Sequence, residues 1–162
     1  MHITFIQTGG TIDKDYLRRV KAYEFEIRDA AVKRILEAPR PNFTFKIISI
    51  LKKDSLDITQ SDRINILRAC RTSSSKRIVI THGTDTLVET AKVLSVIRNK
   101  TIILTGSSKP ERFTNSDAMF NVGHAVGAAQ LLPPGVYVAM NGRVYPWDKV
   151  RKHQKTGIFI EA

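Results

Sequence analysis

The sequence predicts an α/β fold of three layers: a mostly parallel, Rossmann-like sheet with helices on both faces, in a single domain. Three observations carry that prediction. Apolar β-branched runs alternate with segments of helical periodicity along the whole chain. The run Ile78-Val79-Ile80 ends abruptly in the polar turn His82-Gly83-Thr84-Asp85-Thr86, after which Val88, Ala91 and Leu94 share one helix face. Small polar turns also follow the other strand-like runs, and right-handed crossovers would bring all such strand ends to one edge of the sheet.

Taken in order, the first strand covers roughly residues 2–7 and ends at Thr8-Gly9-Gly10-Thr11. Residues 13–24 read as a charged loop with two tyrosines, Tyr16 and Tyr23. Ile27, Ala30, Ala31, Ile35 and Leu36 give a helix face that stops at Pro39 and Pro41. Phe43 to Ile50 form the second strand, which ends at Lys53-Asp54-Ser55. Thr59 or Ser61 caps the next helix, with Ile64, Leu67 and Cys70 or Arg71 toward the core, and Ser73-Ser74-Ser75 breaks it. The central strand, turn and helix follow, the helix running to about Arg98. Thr101 to Thr105 is the fourth strand and ends in Gly106-Ser107-Ser108. Ser116 opens a helix of small residues that Pro133-Pro134 terminates; its Gly123 and Gly127 cost helix propensity and predict a closely packed neighbour. Val136 to Met140 is the fifth strand, and Asn141-Gly142 turns it into a hairpin through Val144 and Tyr145.

The 162 residues suffice for one domain with a real core and are too few for two ordinary ones. No apolar run approaches the length of a membrane span, and no leader pattern precedes the first strand. The single cysteine, Cys70, excludes an internal disulfide and fits a reducing cytoplasm. The net charge of +11 suits anionic partners. Its clusters, Lys14 to Lys21 and Arg143 to Lys155, lack the interleaved aromatics of a nucleic-acid module, so solvated surface or attraction of small anions is favoured over RNA or DNA binding. The four histidines and one cysteine show no metal-ligand spacing, and no cofactor is indicated.

Four polar strand ends on one edge define a candidate ligand site: Thr8 to Thr11, Asp54-Ser55, His82 to Thr86 and Gly106 to Ser108. Thr84 or Asp85 could equally be a helix cap, but a similar turn at Thr11 makes capping an insufficient explanation. Thr11 and Thr84 are the candidate nucleophiles, and a neutral hydroxyl needs a base within hydrogen-bond reach. A tyrosine, Lys149 and Asp85 are the candidate activators, while His82 reads as structural.

Thr8-Gly9-Gly10-Thr11-Ile12 and Thr81-His82-Gly83-Thr84-Asp85-Thr86 resemble the two signature motifs of the bacterial-type L-asparaginase/glutaminase family. Lys53-Asp54-Ser55-Leu56-Asp57, Leu104-Thr105-Gly106-Ser107 with Pro110, and Lys149-Val150-Arg151 fall in the family's order. The resemblance covers residues 1–162 and corresponds to the family's N-terminal catalytic domain alone, as in its short-chain members; the C-terminal domain of most members is absent from the sequence.

The resemblance implies conversion of L-asparagine to L-aspartate and ammonia, with minor action on glutamine. Thr11 would attack the side-chain amide, with Tyr23 as proton partner on a loop that closes over the substrate. Thr84, Lys149 and Asp85 would form the second catalytic group, following the logic of lysine-activated hydroxyls. Asp85 would also hold the substrate α-ammonium. Ser55 and neighbouring backbone amides would hold its α-carboxylate, so Gly10, Asp54, Ser55, Gly83, Thr84 and Asp85 form the substrate-binding set. Amides at the glycine turns would stabilise the oxyanion. A homo-oligomer, dimer or tetramer, is implied as well. One departure stands out: Leu56 occupies the position where many members carry glutamine after the substrate-binding serine. Two other readings fit the same motifs, an amidase component of a tRNA-dependent amidotransferase and a non-catalytic amino-acid-binding domain.

Overall fold

The computed structural model describes residues 1–16 and 25–162 (for Phe25 the backbone only). Six strands form one sheet in the order β4-β1-β5-β6-β7-β8: β1 is His2–Gly9, β4 Thr44–Lys53, β5 Arg77–Thr81, β6 Thr101–Thr105, β7 Gly135–Met140 and β8 Arg143–Pro146. Every pairing is parallel except β7 with β8. That antiparallel edge is the Asn141-Gly142 hairpin, whose two residues take φ of 53° and 78°, the left-handed pair a tight primed turn requires.

The alternation of side chains along each strand divides the core between the two faces of the sheet. Ile78, Ile80, Ile102 and Leu104 pack on one side against Ile66, Leu67 and Cys70 of α2 (Gln60–Thr72) and Leu87, Ala91 and Leu94 of α3 (Leu87–Leu94). Ile3, Phe5, Val79 and Ile103 pack on the other against Ala31, Val32, Ile35 and Leu36 of α1 (Ala31–Glu37) and Val122, Ala125 and Ala129 of α4 (Ala118–Leu131). Thr59 caps α2 in a reciprocal box: its hydroxyl accepts from Asp62 N, and the Asp62 carboxylate accepts from Thr59 N at 2.8 Å.

Three expectations need correction. Ile27 is not helical; it ends β3 (Phe25–Ile27), which pairs antiparallel with β2 (Lys14–Tyr16) as the stem of a hairpin. The helix after the central turn stops at Leu94, because the chain tightens there with Ser95 N on Lys92 O and Ile97 N on Leu94 O. Gly123 and Gly127 have no close neighbour, since a Cβ at either would meet nothing within 4 Å. They lie on an uncharged helix with Met119, Phe120 and Leu131 exposed. The tail forms a second small ladder, β9 (Val150–Lys152) with β10 (Phe159–Glu161), anchored on the sheet by buried Phe159: its N–H donates to Asn141 Oδ1 and its carbonyl accepts from Tyr145 Oη, both at 3.0 Å.

Candidate active site

The carboxyl ends of β1, β5 and β4 converge. Thr8, at the end of β1, donates its hydroxyl to Thr81 O at 2.9 Å, and Gly10 N donates to Lys53 O at 2.9 Å. The two glycine turns then touch. A Cβ on Gly10 would lie 2.4 Å from the backbone N and Cα of Gly83, and one on Gly83 would lie 2.6 Å from Ser55 Cβ. Gly10 also has a φ of 86°, so this crossing of two chains needs glycine for conformation and for space. Thr11 and Thr84, the residues that follow the touching glycines, are both half-buried.

Neither Thr84 nor Asp85 caps α3. The N-cap is Thr86, and its hydroxyl goes instead to Ser55 O at 2.7 Å. Thr84 and Asp85 are engaged by a lysine: Lys152 Nζ donates to Thr84 Oγ1 at 2.8 Å and to Asp85 Oδ1 at 2.6 Å. This is the arrangement expected of Lys149, displaced by three residues. Lys149 itself is exposed, in the one-turn helix Trp147–Lys149. Strand alternation explains the displacement. Val150 enters the core, Arg151 faces solvent, and Lys152 returns to the side of Val150, toward the amino end of α3. The period of two after an apolar Val150 was the signal available in the sequence.

Ser55 is fully buried and its hydroxyl accepts from Asp85 N at 3.3 Å, which ties the β4 turn to the central one. Asp54 accepts from Ser55 N at 2.8 Å and pairs with Lys14 at 2.6 Å; the Lys14 ammonium holds its carboxyl below the usual range. Leu56 is exposed. Tyr23 lies outside the described residues, on the segment joining β2 to β3. Among the described residues no cluster of three histidine, cysteine or acidic side chains is placed to hold a metal.

His82 is wholly buried beneath the turn. Its Nδ1 lies 2.8 Å from Gly83 O, so it must carry the hydrogen, and Nε2 accepts from Thr90 Oγ1 at 2.8 Å. Burial first, aided by the Arg63 charge and opposed by the Gly83 carbonyl, depresses its pKa to about 4. An unfolded histidine takes up a proton near pH 6.5 that the folded one refuses until about pH 4. Its contribution to stability is therefore complete above pH 6.5 and lost as pH falls toward 4, on the order of 3 kcal/mol. Denaturant midpoints measured across that window should fall in the parent and show a slope shallower by one proton in His82→Gln.

On this three-layer α/β scaffold, the carboxyl edge of the sheet gathers two threonine turns and a lysine–carboxylate pair. The chain belongs to the asparaginase family: residues 2–158 match the family described as "Asparaginase, N-terminal". It is 40% identical over 114 residues to the L-asparaginase of Thermococcus kodakarensis, covering 67% of this chain and 35% of that protein. It is 33% identical over 165 residues to a glutamyl-tRNA(Gln) amidotransferase component of Methanococcus maripaludis, covering 93% and 39% respectively. The solved thermostable L-asparaginase from Thermococcus kodakarensis superposes with a TM-score of 0.89 at 32% identity, over 99% of this chain and 51% of that one. The chain thus spans between a third and about half the length of these relatives.

Proposed function

We propose that residues 1–162 form an asparaginase N-terminal-type catalytic domain that hydrolyses L-asparagine to L-aspartate and ammonia, with lesser action on glutamine. The observation that carries this reading is the Lys152–Thr84–Asp85 cluster, in which two potential helix-capping side chains are turned to a lysine instead. Thr11 Oγ attacks the side-chain carbonyl carbon, and its proton passes by way of Tyr23 to the departing ammonia. Water then cleaves the aspartyl ester, activated by Thr84 with Lys152 as the base. Ser55 faces the substrate carboxylate from the β4 turn, with Gly10, Gly83 and Asp54 shaping that end of the pocket. Gly10 N is used by Lys53 O and Asp85 N by Ser55 Oγ, so we assign the amides of Thr11 and Thr84 as the oxyanion donors.

Ammonia release from asparagine tests this directly. The chain should turn over, and Thr11→Ala and Thr84→Ala should each lose about 10³-fold or more in kcat, in line with loss of a nucleophile or its activation. Unchanged turnover in both would overturn the mechanism. The similarity to an amidotransferase component and the charge of +11 favour a second reading, an ammonia-supplying component for tRNA amidation. Salt-sensitive tRNA binding would support it. Thermal protection by asparagine without turnover would instead mark a binding module. A homo-oligomer is consistent with the exposed apolar residues of α4, and a cytoplasmic setting with the lone, buried Cys70.

A further inference from the structure

Asp13, two residues beyond Thr11, is fully buried and has no part in the chemistry above. It sits where three elements meet. Its Oδ1 accepts from Ala31 N at 2.8 Å, the first residue of α1, a helix with no side-chain cap from its own N-cap residue. Its backbone carbonyl accepts from Arg28 N at 2.9 Å, just past β3, and its own N–H donates to Gly10 O at 3.2 Å. Gln7 Nε2 donates to Arg28 O at 2.7 Å. Asp13 and Gln7 therefore clasp both peptide groups of Arg28 and fasten the β2–β3 stem to the turn that presents Thr11.

The clasp is one hydrogen short. Asp13 Oδ2 and Gln7 Oε1 are both buried acceptors without a partner, and the Gln7 side chain lies within hydrogen-bonding reach of the Asp13 carboxyl. A buried carboxylate oxygen without a partner is costly, most of all when charged. A proton on Asp13 Oδ2 removes the charge from this buried carboxyl. The charged groups around it do not replace that proton. Arg34 of α1 and Glu111 of the segment before α4 face Asp13 with opposite effects, but they are joined to each other at 2.6 Å. The Arg28 guanidinium pairs outward with exposed Glu26, and Lys14 pairs with Asp54.

We propose that Asp13 is a positioning residue of the reaction, held as a neutral carboxylic acid that locks the turn presenting Thr11 to the β2–β3 stem and to the start of α1. The proposal rests on the asparagine-hydrolysis reading only for its catalytic consequence. Burial raises the Asp13 pKa to about 7, outweighing the Ala31 and Gln7 hydrogen bonds that lower it. With an open-state value of 3.8, the clasp is strongest below pH 3.8 and weakens as pH rises through about 7. Ionisation releases the stem, so kcat falls on the alkaline side while KM, set by Ser55 and Asp85, moves little.

The test has readouts with and without activity. Carbon NMR of the Asp13 carboxyl in the parent should titrate near pH 7; titration in the ordinary carboxylate range overturns the proposal. Amide exchange at Arg28 and Ala31, corrected for intrinsic rates, should accelerate by up to about tenfold per pH unit between about 4 and 7 in the parent and level off above 7. It should stay flat in Asp13→Asn, which keeps the acceptor for Ala31 and supplies a fixed donor. Equal pH dependence in both proteins overturns the proposal. In turnover assays the alkaline limb of kcat should move up by a unit or more in Asp13→Asn; an unmoved limb overturns the catalytic consequence. Should neither protein hydrolyse asparagine while the NMR results hold, the positioning role stands and the functional reading falls.

Discussion

Lys152→Met is expected to lower kcat for asparagine by about three orders of magnitude, the scale of a positioned general base. Lys149→Met is expected to stay within about twofold of the parent, as an exposed lysine outside the site should. The two residues are three apart in the chain and carry the same charge, so the comparison removes any effect of net charge. Lys152 is the only lysine bonded to Thr84 among the described residues, and its amine reaches Asp85 in the same gesture. Methionine keeps the length of the stem that crosses the surface while removing the amine. The melting temperature should change little, because the Lys152–Asp85 pair is part-exposed and such pairs contribute about 1 kcal/mol or less. Equal activity in the two variants would show that the pairing is structural.

The largest effect on stability is expected from Gly10→Ala. One added methyl would sit 2.4 Å from two backbone atoms of Gly83 and 2.9 Å from His82 C, and the backbone φ of 86° would be strained besides. Backbone atoms cannot swing aside as a side-chain end can. We expect a loss of about 4 kcal/mol or more, a large share of a typical domain's 5–15 kcal/mol. Gly127→Ala is the matched control: its methyl meets nothing within 4 Å, and alanine in mid-helix should gain about 0.5–1 kcal/mol. Urea midpoints of the two variants should move in opposite directions. A Gly10→Ala variant as stable as the parent would mean that the two turns do not cross.

The layered fold was legible because each strand is a short apolar run and each crossover helix has its own periodicity. Ile78-Val79-Ile80 feeds both core faces, which only a strand covered on two sides can do. The cap of α2 was readable to within two candidates, Thr59 and Ser61, of which Thr59 takes the role, and the Asn141-Gly142 turn was readable outright. What escaped was set by long-range contact. Ile27 looks helical beside Ala30 and Ala31, but pairing with Lys14 makes it a strand. The glycines of α4 suggested a tight neighbour and instead face open space. Lys152 was hidden by a local match at Lys149. Its place depends on how Phe159, seven residues further on, pins β9 to the sheet. Asp13 read as one more charge in a loop, since nothing in the sequence says that the hairpin stem and α1 will bury it.

The convergence of two remote threonines on one amide is tested most directly by a crystal structure of the chain with L-aspartate, the proposed product. The aspartate side-chain carboxylate is expected between Thr11 Oγ and Thr84 Oγ, with the α-ammonium on Asp85 and the α-carboxylate at Ser55. Aspartate bound away from the Gly10–Gly83 crossing, or touching one threonine turn and not the other, would contradict it.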